Sequence, residues 1–316
     1  MRPRAFALAL AAVASRSLGA VAAKTFSVHG YLPDYRPAWA ASRACARGAR
    51  VLAFSAAPSP SGRALDGLDG VWKKTDEDGD CARDLVVGGG GRSDGFGAAA
   101  ASPTALAAAV KRAVETHAFD GVSYDWEYPA RESEWMAFGE LLRATRDALD
   151  ETAGERKRLS FAIHPTASTF EAMVKFDLMK YVDWVHVMAY DSGHPRGHAA
   201  MSFVESLIEY VKREFDDVRK FTVGIPFYAR SMRTGEAKTY EEIRREFAEN
   251  LDKDQDVVGD WAFDSVGVVR AKVRLARRMG FGGVMIWELG QDVQDDSSLF
   301  LAIADEIASL DAHAEL

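Results

Sequence analysis

Residues 119–129 read Phe-Asp-Gly-Val-Ser-Tyr-Asp-Trp-Glu-Tyr-Pro. Aromatic and β-branched residues between a glycine and a proline predict a β-strand. Because alternate side chains of a strand share a face, Ser123, Asp125 and Glu127 should point one way and the residues between them the other. The backbones of the two acids would then lie about 6.7 Å apart, so that their carboxylates can converge.

Two converging carboxylates have two interpretations. On a half-buried edge strand the acids would simply face water. If both are buried, they destabilise the fold unless they share a proton or contact a ligand, as happens in active sites.

Short apolar segments alternate with helical stretches from Phe26 onward. Helical spacing is clear where Trp135, Phe138 and Leu142 recur at intervals of three and four residues. The predicted strands cover residues 26–32, 50–55, 84–88, 121–127, 159–163, 184–189, 221–226 and 282–287. Eight strand–helix repeats predict an α/β fold, a single (β/α)8 TIM barrel, whose active site forms at the carboxyl ends of the strands.

The amino terminus has the pattern of a secretory signal peptide over residues 1–23, followed by a barrel over residues 24–316. A basic start precedes an apolar run at 5–14 and small residues at 21–23. Removing this segment would take away three arginines and no acid, moving the formal net charge from −8 to −11. We therefore expect a secreted, extracellular protein that binds neither nucleic acid nor a membrane.

The chain has two cysteines, Cys45 and Cys81. In an oxidising compartment they could form a disulfide, whereas elsewhere they could be two small buried side chains. The sequence leaves both alternatives open.

The stretch at 120–129 resembles the signature of glycoside hydrolase family 18, the chitinase family, which reads Asp-Gly-x-Asp-x-Asp-x-Glu followed by Tyr-Pro. The matching residues are Asp120, Gly121, Asp125, Trp126, Glu127, Tyr128 and Pro129. Ser123 departs from the pattern, because the family usually has its first inner acid there. The strand ends at 29–36, 87–92, 188–191, 224–230 and 283–288 are also similar to those of the family.

This resemblance implies a retaining chitinase that cleaves β-1,4 linkages between N-acetylglucosamine units with help from the substrate's own acetamide. It implies that Glu127 is the general acid and base, that Asp125 orients the acetamide and that Tyr190 hydrogen-bonds the acetamide oxygen. The substrate-binding residues that it implies are Tyr31, Gly89, Trp126, Tyr128, Met188, Asp191, Tyr228, Arg230 and Trp287. It implies neither a metal nor an organic cofactor, and we expect a monomer.

Two alternatives share this barrel. One is a chitin-binding lectin with weak or no activity, and the other is an endo-β-N-acetylglucosaminidase that acts on N-glycan cores. Many family members also carry an extra α+β insertion that walls the cleft. Between Tyr228 and Gly282 the sequence predicts only two helices, the second at about 265–279, so we expect an open groove and internal cleavage.

Other motifs point elsewhere but are incomplete. The glycine run from Gly88 to Gly91 could cradle a phosphate, but no Gly-Lys-Ser/Thr follows it. Asp191, His194 and His198 could ligate a metal, although the proline and glycine among them favour a loop.

Overall fold

The computed structural model describes residues 26–193, 197–248, 251–252 and 254–314. The predicted signal peptide and His194 lie outside these ranges. Within them the strands are β1 (Ser27–Pro33), β2 (Arg50–Pro58), β3 (Leu65–Asp66), β4 (Arg83–Gly88), β5 (Gly121–Asp125), β6 (Arg158–Ile163), β7 (Trp184–Val187), β8 (Phe221–Pro226), β9 (Tyr228–Ser231), β10 (Ala237–Thr239), β11 (Val257–Val258), β12 (Trp261–Ala262) and β13 (Gly283–Trp287).

The helices of the same ranges are α1 (Trp39–Cys45), α2 (Phe96–Ala99), α3 (Pro103–Thr116), α4 (Glu132–Asp150), α5 (Ala167–Lys175), α6 (Met201–Glu214), α7 (Tyr240–Glu246), α8 (Val266–Arg278) and α9 (Leu299–Ala314). None of the helices among the described residues is long and apolar enough to cross a membrane.

Eight of the strands form a closed parallel barrel in the order β1, β13, β8, β7, β6, β5, β4 and β2, and β2 pairs with β1 to close it. α-Helices connect the strands on the outside, except between β2 and β4, which are joined by a segment that contains β3. The predicted (β/α)8 TIM barrel is thus confirmed, and each predicted barrel strand overlaps an observed one.

The alternation along β5 explains how the barrel is packed. Tyr124 is fully buried on the helix side, where its ring lies 6.2 Å from that of Phe138 and its hydroxyl lies 2.8 Å from that of Thr145. Ser123 and Asp125 occupy the opposite, inner face of the strand. A single strand therefore supplies one residue to the outer hydrophobic core and the next to the barrel interior.

The segment between β8 and α8 differs from its prediction. Both predicted helices are present, as α7 and α8, but β9 to β12 also form a small four-stranded antiparallel sheet beside α7. These strands have two to four residues each. Strands this short leave too few residues to show the two-residue alternation on which a strand prediction depends.

A disulfide joins Cys45, the last residue of α1, to Cys81, which precedes β4. The structure thus decides between the two alternatives for these cysteines. The bond tethers the first helix of the barrel to the loop that leads into a neighbouring strand.

Candidate active site

The inner face of β5 ends in a cleft of about 380 Å³ at the carboxyl ends of the barrel strands. Asp125 is the last residue of β5, and Glu127 follows two residues later. The cleft is lined by Tyr31, Tyr35, Phe54, Gly90, Arg92, Asp125, Glu127, Tyr128, His164, Met188, Tyr190, Asp191, Tyr228, Arg230, Ala237, Met285, Trp287 and Gln291. Both predicted catalytic carboxylates therefore open into the same cavity.

Asp125 is held by its backbone rather than by its side chain. Its carbonyl oxygen accepts hydrogen bonds from the Gly89 N–H at 2.5 Å and from the Ser93 hydroxyl at 3.2 Å. The carboxylate is 2% exposed, and its Oδ1 has no hydrogen-bond partner among the described residues. Burial raises the pKa of Asp125 well above its usual range, and the nearby Glu127 carboxylate raises it further.

Glu127 lies at the border between the interior and the open cleft. Its backbone N–H donates to the Ser93 hydroxyl at 3.0 Å, which fixes the chain at this point. Burial raises the pKa of Glu127, hydrogen bonds from Tyr128 and from the Gly90 N–H oppose that rise, and the charge of Asp191 adds to it. The net effect is an increase, so Glu127 keeps its proton to higher pH than an ordinary glutamate.

Ser123, at the position where the family usually has an acid, is fully buried beneath Asp125. In the sheet it is aligned with Val86 of β4 and Ser160 of β6. The Tyr31 side chain lies close to it, but neither hydroxyl has a partner at normal hydrogen-bond distance within the described ranges. Asp125 consequently has no acidic neighbour below it on β5.

Asp191 anchors the opposite wall of the cleft. Arg230 donates to it through two nitrogens, Nε to Oδ1 at 2.8 Å and Nη2 to Oδ2 at 2.7 Å, while Nδ1 of His198 lies 3.1 Å from Oδ1. Burial alone would raise the pKa of Asp191, but hydrogen bonds from Arg230, His198 and Tyr228 hold it well below the usual range. Asp191 thus remains a permanent negative charge near Glu127.

Aromatic rings form the floor of the cleft. The Trp287 ring lies 5.4 Å from the rings of both Tyr31 and Phe54, in edge-to-face geometry. Beside it, the Tyr190 hydroxyl lies 3.9 Å from the Met285 sulfur. A flat apolar ring with tyrosine side chains in the same cleft suits a sugar ring, which has apolar faces and a polar edge.

Two predicted substrate-binding residues do not line the cleft. The Trp126 ring stacks on that of Phe96 at 5.1 Å and meets that of Phe138 at 5.8 Å, on the helix side of the sheet. Its prediction as a substrate contact is wrong because Trp126 lies between the inward-facing Asp125 and Glu127. Gly89 lies behind Phe54, where an added Cβ would be 2.1 Å from that ring. The cleft glycine is its neighbour Gly90.

All other predicted site residues line the cleft, but the sequence did not identify several of their neighbours. These are Tyr35, Phe54, Gly90, Arg92, His164, Ala237, Met285 and Gln291. Tyr35, Gly90 and His164 lie just after a strand end, which is the signal that could have identified them. Ala237 belongs to the unpredicted β10 and had no such signal.

The described residues contain no group of three or more His, Cys, Asp or Glu side chains that could hold a metal ion. Instead, His198 contacts Asp191, which Arg230 also binds, and the His198 ring centre lies 4.8 Å from that of Tyr228.

Comparison with known proteins places this geometry in a family. The family model described as Glycosyl hydrolases family 18 matches residues 73–292. Endochitinase 1 of Metarhizium robertsii is 24% identical over 73% of this chain and 66% of its own length. Nod factor hydrolase protein 1 of Medicago truncatula is 25% identical over 67% of this chain and 69% of its own. The aligned part thus spans about two thirds of these relatives.

Solved structures share the fold. The family 18 chitinase ChiB of Flavobacterium johnsoniae has a TM-score of 0.73 and 22% identity, covering 91% of this chain and 95% of its own. A family 18 chitinase of Cycas revoluta, solved in complex with (GlcNAc)3, has a TM-score of 0.73 and 20% identity, covering 89% and 99%.

Proposed function

Because the chain belongs to family 18 of the glycosyl hydrolases, we propose that it is a secreted, endo-acting chitinase that cleaves β-1,4 linkages between N-acetylglucosamine units. The observation that carries this proposal is the pair formed by Asp125 and Glu127. Both carboxylates open into one cleft, and burial raises the pKa of each. A carboxylic acid that keeps its proton to higher pH than usual is what protonation of a glycosidic oxygen requires.

In the proposed first step, Glu127 donates its proton to the glycosidic oxygen, and the bond from that oxygen to the anomeric carbon breaks. The carbonyl oxygen of the sugar's own acetamide attacks the anomeric carbon and forms an oxazolinium ion. After the second step, the product has the same anomeric configuration as the substrate. The positive charge of the oxazolinium ion lowers the pKa of the adjacent Asp125, so that Asp125 ionises and stabilises the ion, while Tyr190 hydrogen-bonds the acetamide oxygen. Trp287 supports the sugar ring.

In the second step, the Glu127 carboxylate takes a proton from water, which attacks the anomeric carbon and reopens the oxazolinium ring. Glu127 is then protonated again. The negative charge of Asp191, fixed by Arg230, assists by favouring the protonated form of Glu127 before each cycle.

Two observations support the finer parts of the proposal. The disulfide between Cys45 and Cys81 is typical of proteins in oxidising compartments, which agrees with secretion. The segment between Tyr228 and Phe263 contributes only Tyr228, Arg230 and Ala237 to the cleft lining, which suits a groove that a polymer enters from the side. Product analysis on a soluble long-chain substrate tests this point, because release of mainly dimers from the earliest times would contradict internal cleavage.

One observation favours a second function. Ser123 removes the inner acid from beneath Asp125, as expected for a chitin-binding lectin with lost or weakened activity. Glu127 favours the enzyme, since the proton donor is still present.

Assays on chitin oligosaccharides and on a glycoprotein with N-glycans test the proposal. We expect the oligosaccharides to be cleaved with retention of the anomeric configuration, and we expect no cleavage of the glycoprotein. Binding of the oligosaccharides without any cleavage would support the lectin, and cleavage of the glycoprotein alone would support the N-glycan enzyme.

A further inference from the structure

Arg92 lies on the cleft wall but has no part in the chemistry described above. It follows the glycine run that ends β4, and its N–H donates to the Gly89 carbonyl at 2.9 Å, which closes a tight turn. Gly91, between them, has a φ of +74°, a conformation that favours glycine. The turn thus presents Arg92 at the mouth of the barrel, two residues after the Gly90 N–H that contacts Glu127.

The Arg92 guanidinium continues the line of flat groups that begins at the cleft floor. It lies 4.7 Å above the Phe54 ring, which in turn meets the Trp287 ring at 5.4 Å. Planar guanidinium groups stack well on aromatic faces, so this arrangement is favourable without a ligand. A sugar chain whose cleaved unit lies on Trp287 would have another unit in reach of Arg92.

The Arg92 guanidinium is held in place by an ion pair, but the protein does not supply an acceptor for every one of its N–H donors. Its Nη2 donates to both oxygens of Asp34, at 2.9 and 3.1 Å, and the two side chains are each 24% exposed. Its Nη1 is shielded from water and has no hydrogen-bond acceptor among the described residues. Arginine carries five N–H donors and Asp34 engages only Nη2, so donors other than the shielded Nη1 remain for a ligand, while Asp34 limits the entropy lost on binding.

We propose that Arg92 is a substrate-binding residue that donates hydrogen bonds to a sugar unit next to the one on Trp287, and so sets the preference for longer N-acetylated oligosaccharides. The acceptors are neutral oxygens, a hydroxyl group or an acetamide carbonyl. This inference rests on the proposed function, because it assumes an N-acetylglucosamine polymer in the cleft.

The proposal predicts an effect on binding and none on the acid. Burial is the main cause that raises the pKa of Glu127, the groups with smaller effects on it include Tyr128, Gly90 and Asp191, and Arg92 does not appear beside them. Replacing Arg92 should therefore raise KM without moving the pH–rate profile. A group that acted on Glu127 would move that profile instead.

The test compares Arg92→Leu with its parent in two backgrounds. In Glu127→Gln protein, which lacks the proton donor, calorimetry should show about tenfold weaker binding of the N-acetylglucosamine hexamer, the effect of losing a hydrogen bond to a charged group. The loss for the tetramer should be smaller, because the tetramer can also bind in registers that leave the place beside Arg92 empty. In protein with Glu127 intact, KM for the hexamer should rise by about tenfold, with kcat within about twofold. Arg92→Lys should recover only part of the affinity, because lysine lacks the planar fork.

Two control variants separate binding from stability. Arg143→Leu removes an arginine whose ion pairs with Glu140 and Asp147 lie on the outer surface of α4, and it should leave affinity unchanged. Asp34→Asn removes the ion pair but keeps Arg92, so it should weaken binding less than Arg92→Leu does. If Arg92→Leu and Asp34→Asn lower Tm equally and neither changes the affinity, the ion pair between Arg92 and Asp34 is purely structural. That result would overturn the inference.

The remaining outcomes are equally decisive. Unchanged hexamer affinity in Arg92→Leu, with a parent that binds and cleaves normally, would overturn this inference alone. A lower kcat with a displaced pH profile would also overturn it, because Arg92 would then act on the acid. A parent that neither binds nor cleaves the oligomers would overturn the proposed function as well.

Discussion

Two sets of buried polar groups inside the barrel contrast sharply. In the lower interior, His186 is fully buried, with its Nδ1 2.9 Å from the Thr222 hydroxyl and its Nε2 3.2 Å from the Ser160 hydroxyl. Burial lowers the pKa of His186 to about 3, so it is neutral at physiological pH. Each ring nitrogen has a partner and no charge is buried, which is how a polar group is accommodated for structure.

The upper interior follows the opposite rule. Asp125 is as deeply buried as His186, yet its Oδ1 lacks a partner among the described residues and its neighbour Glu127 is also an acid. An arrangement of this kind destabilises the folded protein unless something else satisfies it. His186 thus serves stability, whereas Asp125 and Glu127 await a ligand. In our account that ligand is the acetamide of the substrate.

The largest expected effect comes from Asp125→Ala, which removes the group proposed to stabilise the oxazolinium ion. We expect a loss of turnover of more than about a hundredfold. Because the mutation removes an unsatisfied buried acid, the free energy of unfolding should stay the same or increase. Steady-state kinetics and urea denaturation check both points. A large loss of stability would place Asp125 with the structural groups and remove the contrast.

A smaller effect is expected from Ser123→Asp, which restores the acid that the family usually has. The new carboxylate could share a proton with Asp125, so turnover should rise, by less than about tenfold, and the pH–rate profile should change. Ser123→Asn is the matched control, since it adds similar volume without an acid. An unchanged rate and profile would show that position 123 is not coupled to the chemistry. Cleavage restored in an otherwise inactive binding protein would support the lectin.

Asp191→Asn tests the effect of the Asp191 charge on the pKa of Glu127. The Asp191 carboxylate raises the pKa of Glu127, so its removal should lower that pKa. The reaction needs protonated Glu127, and its rate falls as the pH rises through this pKa. The basic limb of the profile of kcat/KM should therefore move to lower pH. Asp147→Asn, on the outer surface of α4, should leave the profile in place; a shift to higher pH in Asp191→Asn would contradict the account.

The smallest effect on activity is expected from His186→Ala in the lower interior. Losing the ring leaves the Thr222 and Ser160 hydroxyls without their partner, and we expect the free energy of unfolding to fall by about 2–4 kcal/mol. Turnover per folded molecule should remain within about twofold. Chemical denaturation and kinetics at a temperature where the variant is folded provide the two values. A large loss of kcat would show that His186 is coupled to the catalytic carboxylates, which would contradict the division between the two sets of groups.

The sequence predicted this division only in part. Periodicity was sufficient for the barrel strands, and the spacing of Asp125 and Glu127 was sufficient to place both acids on one inner face. The same alternation predicted an outward-facing Trp126, although the family resemblance suggested a substrate contact, and the simpler physical rule was correct. Where alternation along one strand decides which way a side chain points, the sequence alone predicts that direction.

Other parts could not be predicted, for physical reasons. The position of Arg92 depends on a turn of glycines with positive φ angles. Because glycine adopts many backbone conformations, the sequence does not give the direction in which the chain leaves this turn. Ala237 reaches the cleft through β10, a strand of three residues. The partners of His186 come from two neighbouring strands, β6 and β8, and are separated from it by 26 and 36 residues. Contacts between distant segments depend on the register in which separate strands pair, which the pattern of a single segment does not give.

The most direct test of the central claim is the turnover of Glu127→Gln on N-acetylglucosamine oligosaccharides, measured together with their binding. Glutamine preserves the shape of the side chain but cannot donate the proton. The account predicts that turnover falls by at least about a hundredfold while the oligosaccharides still bind with nearly the parent affinity. Turnover comparable to that of the parent protein would contradict the claim that the buried acid pair at the end of β5 is the catalytic centre.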